Sequence, residues 1–474
     1  MTMFDDLKLL IGGELVDGDD VMDVIDPASG SPFMSVPRGS VRQAEQAIAA
    51  AKAAQPAWAA VSLVERRTHL NDFADAIHAN AEALARMLVR EQGKPLAEAA
   101  GEIAYTETFV RYFTTIDVPV EVLQDDETRR VELHRKPLGV VCAIMPWNFP
   151  VLLAAFKFPA ALLMGNTFIL KPAPTTPVTS LMLGALAKDI FPAGVFSVVT
   201  DLNDLGPTFT DHKDVAKISF TGSGETGKRV MAAAASTLKR ISLELGGNDA
   251  SIVLDDADVA TVAPKIFAKA FMNAGQVCIA VKRVYAHSSI YDALCDALAK
   301  LADDAIVGDG LQQGTQIGPV QNAAQFAKAK VFLESAGREG RVIAGGQGVP
   351  GEGYFIRPTI VRDIKDGAKL VDEEQFAPIL PIIRFDDVED AVRSTNSSEY
   401  GLGGSVWSAD RDRAYDVARR IDSGMVWVNE HLDFAPHIPF GGAKQSGIGI
   451  ELSVDGMHEF SQTCVINIAK EQVA

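Results

Sequence analysis

The sequence predicts an α/β protein built from two parallel-sheet units and a smaller β-ribbon. Three observations predict it. Short apolar runs alternate with helical segments from Val140 onward, a glycine-rich turn joins one such run to a helix at residues 219–227, and residues 120–137 alternate polar and apolar around an acidic turn. At 474 residues the chain exceeds one ordinary core, so two or three domains of roughly 150 residues are expected. Hydrophobic residues make up 47% and charged residues 22%, the balance of a globular protein.

Met1 to Arg38 is turn-rich, and Leu7–Ile11 and Val21–Ile25 read as small strands between Gly and Asp turns. From Val41 to about Thr115, apolar residues recur at helical spacing, as at Ala44, Ile48, Ala51 and Ala54, with a break expected at Pro56; three or more helices fit there. Val120–Pro137 reads as a two-stranded ribbon turning at Asp125 and Asp126, of the kind that packs on another subunit. Buried strands follow at Val140–Met145, Thr167–Leu170, Val195–Val199, Lys217–Phe220 and Ile241–Leu243, the signature of a parallel sheet. After Glu244 a second α/β unit is expected, with strands at Ala250–Leu254, Arg283–Ala286, Val342–Ala344, Ile379–Phe385, Gly403–Val406 and Met425–Val428. The last alternating stretch, Cys464–Ile468, is suited to adding an edge strand to a partner.

A net charge of −18 argues against nucleic acid, whose phosphates are held by clustered Lys and Arg. Met1–Leu10 lacks the basic segment and apolar run of a secretory signal. The longest greasy region, Pro150–Leu170, is interrupted by Lys157, Pro159 and Asn166, so no membrane span is expected and a cytoplasmic location follows. The four cysteines, Cys142, Cys278, Cys295 and Cys464, make no disulfide framework, and no CxxC pair suggests zinc, so no metal is expected. Each cysteine taken alone reads as a plain core residue.

Ser219–Gly227 reads S-F-T-G-S-G-E-T-G, a strand, a glycine-rich turn and a helix beginning near Glu225. Gly222, Gly224 and Gly227 match G-x-G-x-x-G, a turn that brings a pyrophosphate to backbone N–H groups at a helix N-terminus. Such turns are also common packing devices. Glu244 stands near the place, about 20 residues on, where the fingerprint puts an acid for a ribose hydroxyl.

Glu244 lies in L-E-L-G-G-N, and Cys278 follows in F-M-N-A-G-Q-V-C. Upstream are M-P-W-N-F-P at Met145–Pro150 and a strand ending in Lys171 and Pro172; downstream are E-E-Q-F-A-P at Glu373–Pro378 and P-F-G-G-A-K-Q-S-G-I-G at Pro439–Gly449. Together and in this order these segments resemble the aldehyde dehydrogenase superfamily, from roughly the first helices to Gly449. The resemblance implies a Rossmann-type cofactor domain (residues 1–118 and 138–247), an α/β catalytic domain (248–452) and a β-ribbon oligomerisation element (119–137 and 453–474). It also implies a homodimer or homotetramer that oxidises an aldehyde to the carboxylic acid with NAD or NADP.

The chemistry explains why such residues should meet. A bare aldehyde has no electron push to expel hydride, so a thiolate must attack first, and a cysteine gives a thioester labile enough to hydrolyse. By the resemblance that nucleophile is Cys278. The side chain of Asn148 and the backbone N–H of Cys278 would receive the oxyanion, an effect of roughly 3 to 4 kcal/mol per donor in comparable sites. Read locally, Asn148 is instead a turn residue before Pro150. Glu244 would be the general base for water attack on the thioester. A structural, ion-paired Glu and a ribose ligand are its other readings. Relatives that pass the acyl group to coenzyme A typically lack this acid, so hydrolysis is preferred over acylation of coenzyme A. A cysteine hydrolase is a separate possibility, although no His stands in the motifs around Cys278 to act as its base.

For the cofactor, the resemblance places Lys171 at the adenosine ribose, Ser223 at the pyrophosphate, Glu374 at the nicotinamide ribose and Phe376 beside the nicotinamide. Pro146, Trp147, Pro174, Gly222, Gly227 and Leu245 complete its seat, whereas Gly224 lies outside the family's usual pattern. Pro174 occupies the position three after Lys171 where many NAD-preferring relatives carry Glu. Its loss removes a barrier to NADP without supplying a donor for a 2′-phosphate, so both cofactors stay open, with NAD favoured. Ala377 replaces the usual glycine between Phe376 and Pro378, and if that glycine needs a positive φ the loop must adjust. Val277 and Ile279 flank the nucleophile and, with Phe149, Leu152, Phe156 and Phe440, predict an apolar funnel, although Leu152 fits core packing equally. No arginine in these motifs would grip a carboxylate, so an apolar aliphatic or aromatic aldehyde is expected. His431, Asp433, Phe434 and His437 read either as a substrate entrance or as a solvated loop.

Overall fold

Strand Val140–Ile144, buried at every position, lies inside the first sheet and sets its geometry. The computed structural model describes residues 6–349 and 351–470. Across this sheet the strands run Glu14–Val16, Leu9–Ile11, Phe196–Val198, Thr167–Lys171, Val140–Ile144, Val215–Thr221, Arg240–Glu244 and Gly447–Ile448. The five central strands are parallel; Leu9–Ile11 and Gly447–Ile448 join antiparallel at the two sides. From Val140–Ile144 the chain first builds outward through Thr167–Lys171 and Phe196–Val198, then returns to the other side with Val215–Thr221 and Arg240–Glu244. The strand order therefore reverses between Val140–Ile144 and Val215–Thr221, which opens a crevice at their carboxyl ends. In register, Ile144 pairs Lys171 and Phe220, and Thr221 pairs Glu244, so the segments bearing Asn148, Lys171, the glycine turn and Glu244 all leave the sheet on that side.

The second sheet runs Arg341–Ala344, Thr359–Arg362, Ile379–Phe385, Arg283–His287, Ala250–Val253, Gly403–Trp407 and Met425–Val428, all parallel except the first pair. Thr359–Arg362 is not anticipated from the sequence, because four residues are too few to show a period. Near the N-terminus the expected strands are found at Leu9–Ile11 and Asp20–Asp26, each paired with a strand the pattern does not reveal, Glu14–Val16 and Ser31–Arg38.

Helices Val41–Ala60, Leu63–Ala79, Ala81–Gln92 and Leu96–Phe113 fill the expected helical region. The break falls later than expected, because the first helix runs through Pro56. Proline removes one bond to the preceding turn, and only the final turn follows it. Trp58, fully buried, anchors that turn by donating Nε1–H to Leu162 O at 3.1 Å. The helix then stops before Ser62, whose side chain and Glu65 form a reciprocal capping box for the next one.

The third sheet is the ribbon Glu121–Asp125 and Arg129–Pro137, closed by Asp126, which accepts the N–H groups of Thr128 at 2.8 Å and Arg129 at 3.0 Å. Its third strand is Ser461–Ala469, antiparallel to Arg129–Pro137 from Ser461↔Pro137 to Ala469↔Arg129. The tail strand pairs with Arg129–Pro137 of its own chain, and its other edge carries no strand among the described residues. No helix of the described residues is long and apolar enough to cross a membrane.

Candidate active site

Cys278 follows a segment of irregular backbone. Asn273 and Ala274 are left-handed, with φ of 49° and 55°, and Gly275 follows at 72°. A left-handed conformation costs an ordinary residue about 1–3 kcal/mol, so it persists only where the surroundings over-determine it. Here they do. A Cβ on Gly275 would meet Ala377 O at 2.5 Å. Gln276 donates to Asn273 O at 2.8 Å and accepts from Gln321 N–H at 2.8 Å, and Asn273 N–H donates to Glu98 at 2.9 Å. Burial pushes the Cys278 thiol up to about 12; Glu244, Asp249 and Glu374 push the same way, and Lys282 opposes them.

Asn148 sits in the turn that leaves Val140–Ile144, and its side chain does not cap that turn. Its Nδ2 crosses to Gln276 O at 3.1 Å, two residues before Cys278. Its carbonyl is gripped by Lys94 Nζ at 2.9 Å and Asn273 Nδ2 at 3.0 Å. Lys94 is fully buried, pairs with Glu102 and lies 3.6 Å from the centre of the Phe149 ring. Glu102 in turn accepts the N–H groups of Val151 at 3.0 Å and Leu152 at 3.2 Å. The turn is thus clamped from helix Leu96–Phe113. Lys94 and Glu102 escape the motif reading because each alone looks like a solvated helix residue; the trace in the sequence is the spacing of Glu98 and Glu102, four apart on one face.

Glu244 ends its strand with both carboxyl oxygens buried and neither hydrogen-bonded. No ion pair reaches it among the described residues, which removes the structural, ion-paired reading. Burial and the nearby Glu451 hold its carboxyl well above the ordinary carboxylate range, and Lys157 pulls the other way. Lys157 and Glu451 are themselves a buried pair, with the Ser219 hydroxyl donating to Glu451 at 3.3 Å. Nearly three hundred positions separate these two partners, which is why no local pattern announces them. Beyond Leu245 the chain turns through Gly246 and Gly247, which stand in close quarters. A Cβ on Gly246 would strike the Glu374 carboxylate, and one on Gly247 would meet Cys278 O at 2.7 Å.

On the crevice side, Gly222 N–H donates to Glu244 O at 3.0 Å, and Ser223 caps helix Gly224–Ala234 by accepting Thr226 N–H at 3.4 Å. A Cβ on Gly227 would meet Leu245 Cδ2 at 2.6 Å, whereas Gly224 has nothing within 4 Å. Gly227 therefore serves close helix packing, and only part of the literal G-x-G-x-x-G match is sterically demanded. The Trp147 and Phe376 rings meet edge to face, 5.5 Å apart, joining the M-P-W-N-F-P turn to the E-E-Q-F-A-P loop. The positive φ of that loop falls on Phe376, at 49°, and Ala377 keeps an ordinary one, so alanine is accommodated without the strain expected of it. Lys171 ends its strand in a buried pair with Asp201, and beyond half-buried Pro174 the hydroxyls of Thr175 and Thr176 are buried without partners. A capped helix N-terminus, a glycine cradle and unpartnered polar groups along one crevice fit a dinucleotide.

A cavity of about 270 Å³ opens onto Cys278 and Asn148. Every residue of the expected funnel lines it: Phe149, Leu152, Phe156, Val277, Ile279 and Phe440. Tyr105, Leu153, Met272 and Leu432 add to the apolar wall, and Glu98, Glu102, Lys269 and Asp433 bring charge. Of the expected entrance residues, Asp433 and Phe434 line the cavity, while His437 is exposed away from it. His431 is neither entrance nor solvated loop. It is fully buried, bridging Ile279 O at 2.9 Å and Ser405 Oγ at 3.0 Å, and burial lowers it to about 3. An uncharged imidazole committed to those contacts braces the residue after Cys278 and offers no base for a cysteine hydrolase.

The fold and crevice define a dinucleotide-dependent oxidoreductase of two α/β domains. Comparison with known proteins narrows this. The chain matches the model of the aldehyde dehydrogenase family over residues 15–466 and belongs to that family. It is 39% identical to aldehyde dehydrogenase LUC3 of a Fusarium species, over 97% of this chain and 98% of that protein. It is 37% identical to the NADP(+) succinate-semialdehyde dehydrogenase GabD of Escherichia coli K12, over 95% of each. Among solved structures, the NAD+ complex of an aldehyde dehydrogenase from Bacillus cereus superposes with a TM-score of 0.96 at 32% identity, covering 98% of this chain and 97% of that one. The protein is thus an NAD(P)-dependent aldehyde dehydrogenase that oxidises an aldehyde to the acid.

Proposed function

We propose that Cys278 attacks the aldehyde carbon, that Asn148 Nδ2 and the Cys278 N–H receive the oxyanion, and that Glu244 activates the water that releases the acid. The observation that carries this reading is the Glu244 carboxyl, buried with neither oxygen hydrogen-bonded and near enough to the Cys278 thiol for its charge to raise that thiol. Attack forms an S–C bond and converts the carbonyl to an alkoxide. When bound, NAD(P) supplies the hydride acceptor, and the alkoxide closes to a thioester as hydride departs. Glu244 then takes a proton from water, the hydroxide adds to the thioester carbon, and the S–C bond breaks to return the thiolate.

In this reading Lys171 and Pro174 meet the adenosine ribose, and Ser223 meets the pyrophosphate on the turn framed by Gly222, Gly227 and Leu245. Glu374 meets the nicotinamide ribose, and Pro146, Trp147 and Phe376 flank the ring. The cofactor domain ends at residue 247, between the two sheets. Hydrolysis is preferred to acylation of coenzyme A because Glu244 stands ready for water. The substrate is an apolar aliphatic or aromatic aldehyde. Lys269 faces Glu430 at 3.7 Å, and Asp433 has no ion pair among the described residues, so the cavity presents no free cation to a carboxylate. The ribbon sheet, which exposes Val122, Leu123, Val465 and Ile468, is the face on which a homodimer or homotetramer forms. Four free cysteines suit a reducing, cytoplasmic compartment.

An aldehyde panel followed by the absorbance of reduced nicotinamide, run with NAD and with NADP, tests this reading. Benzaldehyde and medium-chain aldehydes are expected to exceed succinate semialdehyde in kcat/KM by about tenfold or more. The reverse order would reject the apolar funnel, and an acyl-coenzyme A product on adding coenzyme A would reject hydrolysis.

A further inference from the structure

We infer that Lys282 is a positioning residue whose single ammonium fixes the nucleophile segment and the Glu374 loop to one another. The inference rests on reading Cys278 as the nucleophile and Glu374 as part of the cofactor seat. Lys282 follows Cys278 by four positions, just before strand Arg283–His287, and its side chain is 1% exposed. Its Nζ donates to Val277 O at 2.9 Å and to Cys278 O at 2.5 Å, and stands 3.4 Å from Glu374 Oε1. It also lies 5.7 Å from the centre of the Phe376 ring. Of the three donors an ammonium has, two serve the segment that carries the sulfur, and its charge faces the loop that carries Glu374 and Phe376.

The backbone repeats the connection. Lys282 N–H donates to Asp249 O at 3.0 Å, and its carbonyl accepts Gln375 Nε2 at 3.1 Å. Glu374 reaches the same junction from the third side by accepting Gly247 N–H at 3.1 Å. Three segments distant in sequence thus converge on one buried cation. Burying an ammonium costs several kcal/mol unless its partners are well placed, and a buried hydrophobic side chain would leave two carbonyls and a carboxylate unanswered.

The charge matters as much as the geometry. The thiol is faced by acids from several elements: Glu244 from its strand end, Asp249 from the segment leading into the second sheet, and Glu374 from its loop. Across the cavity stand Glu98, Glu102, Asp433 and Lys269, with Lys94 paired to Glu102 and Lys269 facing Glu430. Within this acidic surround Lys282 is the charge that most opposes the effect of burial on the thiol. Position Cys+4 therefore sets both where the sulfur sits and how readily it ionises.

The test is alkylation of the full-length protein by iodoacetamide without nucleotide, measured against pH, with the modified cysteine identified by peptide mapping. Wild type is compared with Lys282→Met and Lys282→Arg, and Lys282→Gln stands in if Met does not fold by circular dichroism. Loss of the charge should move the alkylation midpoint of Cys278 upward by about one pH unit, a roughly tenfold slower reaction at neutral pH. Arg should restore most of it, since a guanidinium keeps charge and donors. Affinity for NAD, measured by calorimetry, should fall several-fold in Lys282→Met as Glu374 loses its anchor. A folded Lys282→Met protein whose Cys278 profile overlays that of wild type overturns the inference alone. Alkylation confined to Cys142, Cys295 or Cys464 overturns the underlying assignment of the nucleophile, and the inference with it.

Discussion

Glu244 and Cys278, near enough for the charge of one to act on the other, are placed by opposite means. Glu244 ends a strand hydrogen-bonded on both sides, parallel to Val215–Thr221 and antiparallel to Gly447–Ile448. Its placement is a property of the sheet. Cys278 stands instead three residues past a left-handed run, in a segment held by the side chains of Glu98, Asn148 and Lys282 and by the backbone N–H of Gln321. Regular backbone delivers a group robustly but with little freedom of direction. Irregular backbone can aim a sulfur anywhere, at the cost of depending on many distant residues. Substitutions remote from the chemistry should therefore harm the nucleophile far more than the base.

The largest effect expected is that of Cys278→Ala, which should abolish aldehyde oxidation while NAD still binds in calorimetry. Next comes Glu244→Gln, expected to slow turnover by about 10²–10⁴ and to let the acyl-enzyme accumulate as a burst. The sign of its pH dependence follows from the raised carboxyl. Because burial and Glu451 raise the Glu244 carboxyl above the ordinary carboxylate range, its basic form grows as pH rises through that raised range, so deacylation should rise with pH in wild type and lose that limb in Glu244→Gln. Asn148→Ala should lower kcat by about 10²–10³ in single-turnover acylation, the usual loss for one oxyanion donor. Gly247→Ala, whose Cβ would meet Cys278 O at 2.7 Å, should cost about tenfold or more in kcat by displacing the nucleophile. The smallest effect should be that of Ala274→Gly. Removing a left-handed alanine relieves about 1 kcal/mol of strain and gives part of it back as unfolded-chain entropy, so the thermal midpoint should move by only a few degrees. Equal sensitivity of base and nucleophile to remote substitutions would break the comparison.

Much of the cleft is legible in the chain. The motifs holding Asn148, Glu244 and Cys278 each set a short backbone geometry through Pro, Gly and Asn, and those constraints are local. All the expected funnel residues line the cavity for a related reason, since each lies within a few positions of a motif. What escaped is polar and buried: Lys94 with Glu102, Lys157 with Glu451, Lys171 with Asp201, and Lys282 with Glu374. A lysine or glutamate ordinarily belongs to the solvent, and only a partner brought from elsewhere in the chain makes its burial tolerable. His431 illustrates the same point, since a histidine between polar neighbours in sequence reads as surface until Ile279 and Ser405 close around it.

By itself the sequence determined the alternation of buried strands and helices and the glycine turn, because these follow from short-range periodicity and steric demand, while the roles of Cys278, Asn148 and Glu244 were implied only by the resemblance of their motifs. Only the tertiary structure decided which charges pair and that Pro56 stays within its helix. Those outcomes depend on the energy of desolvating a group against the contacts it finds, and such contacts come from residues tens to hundreds of positions away.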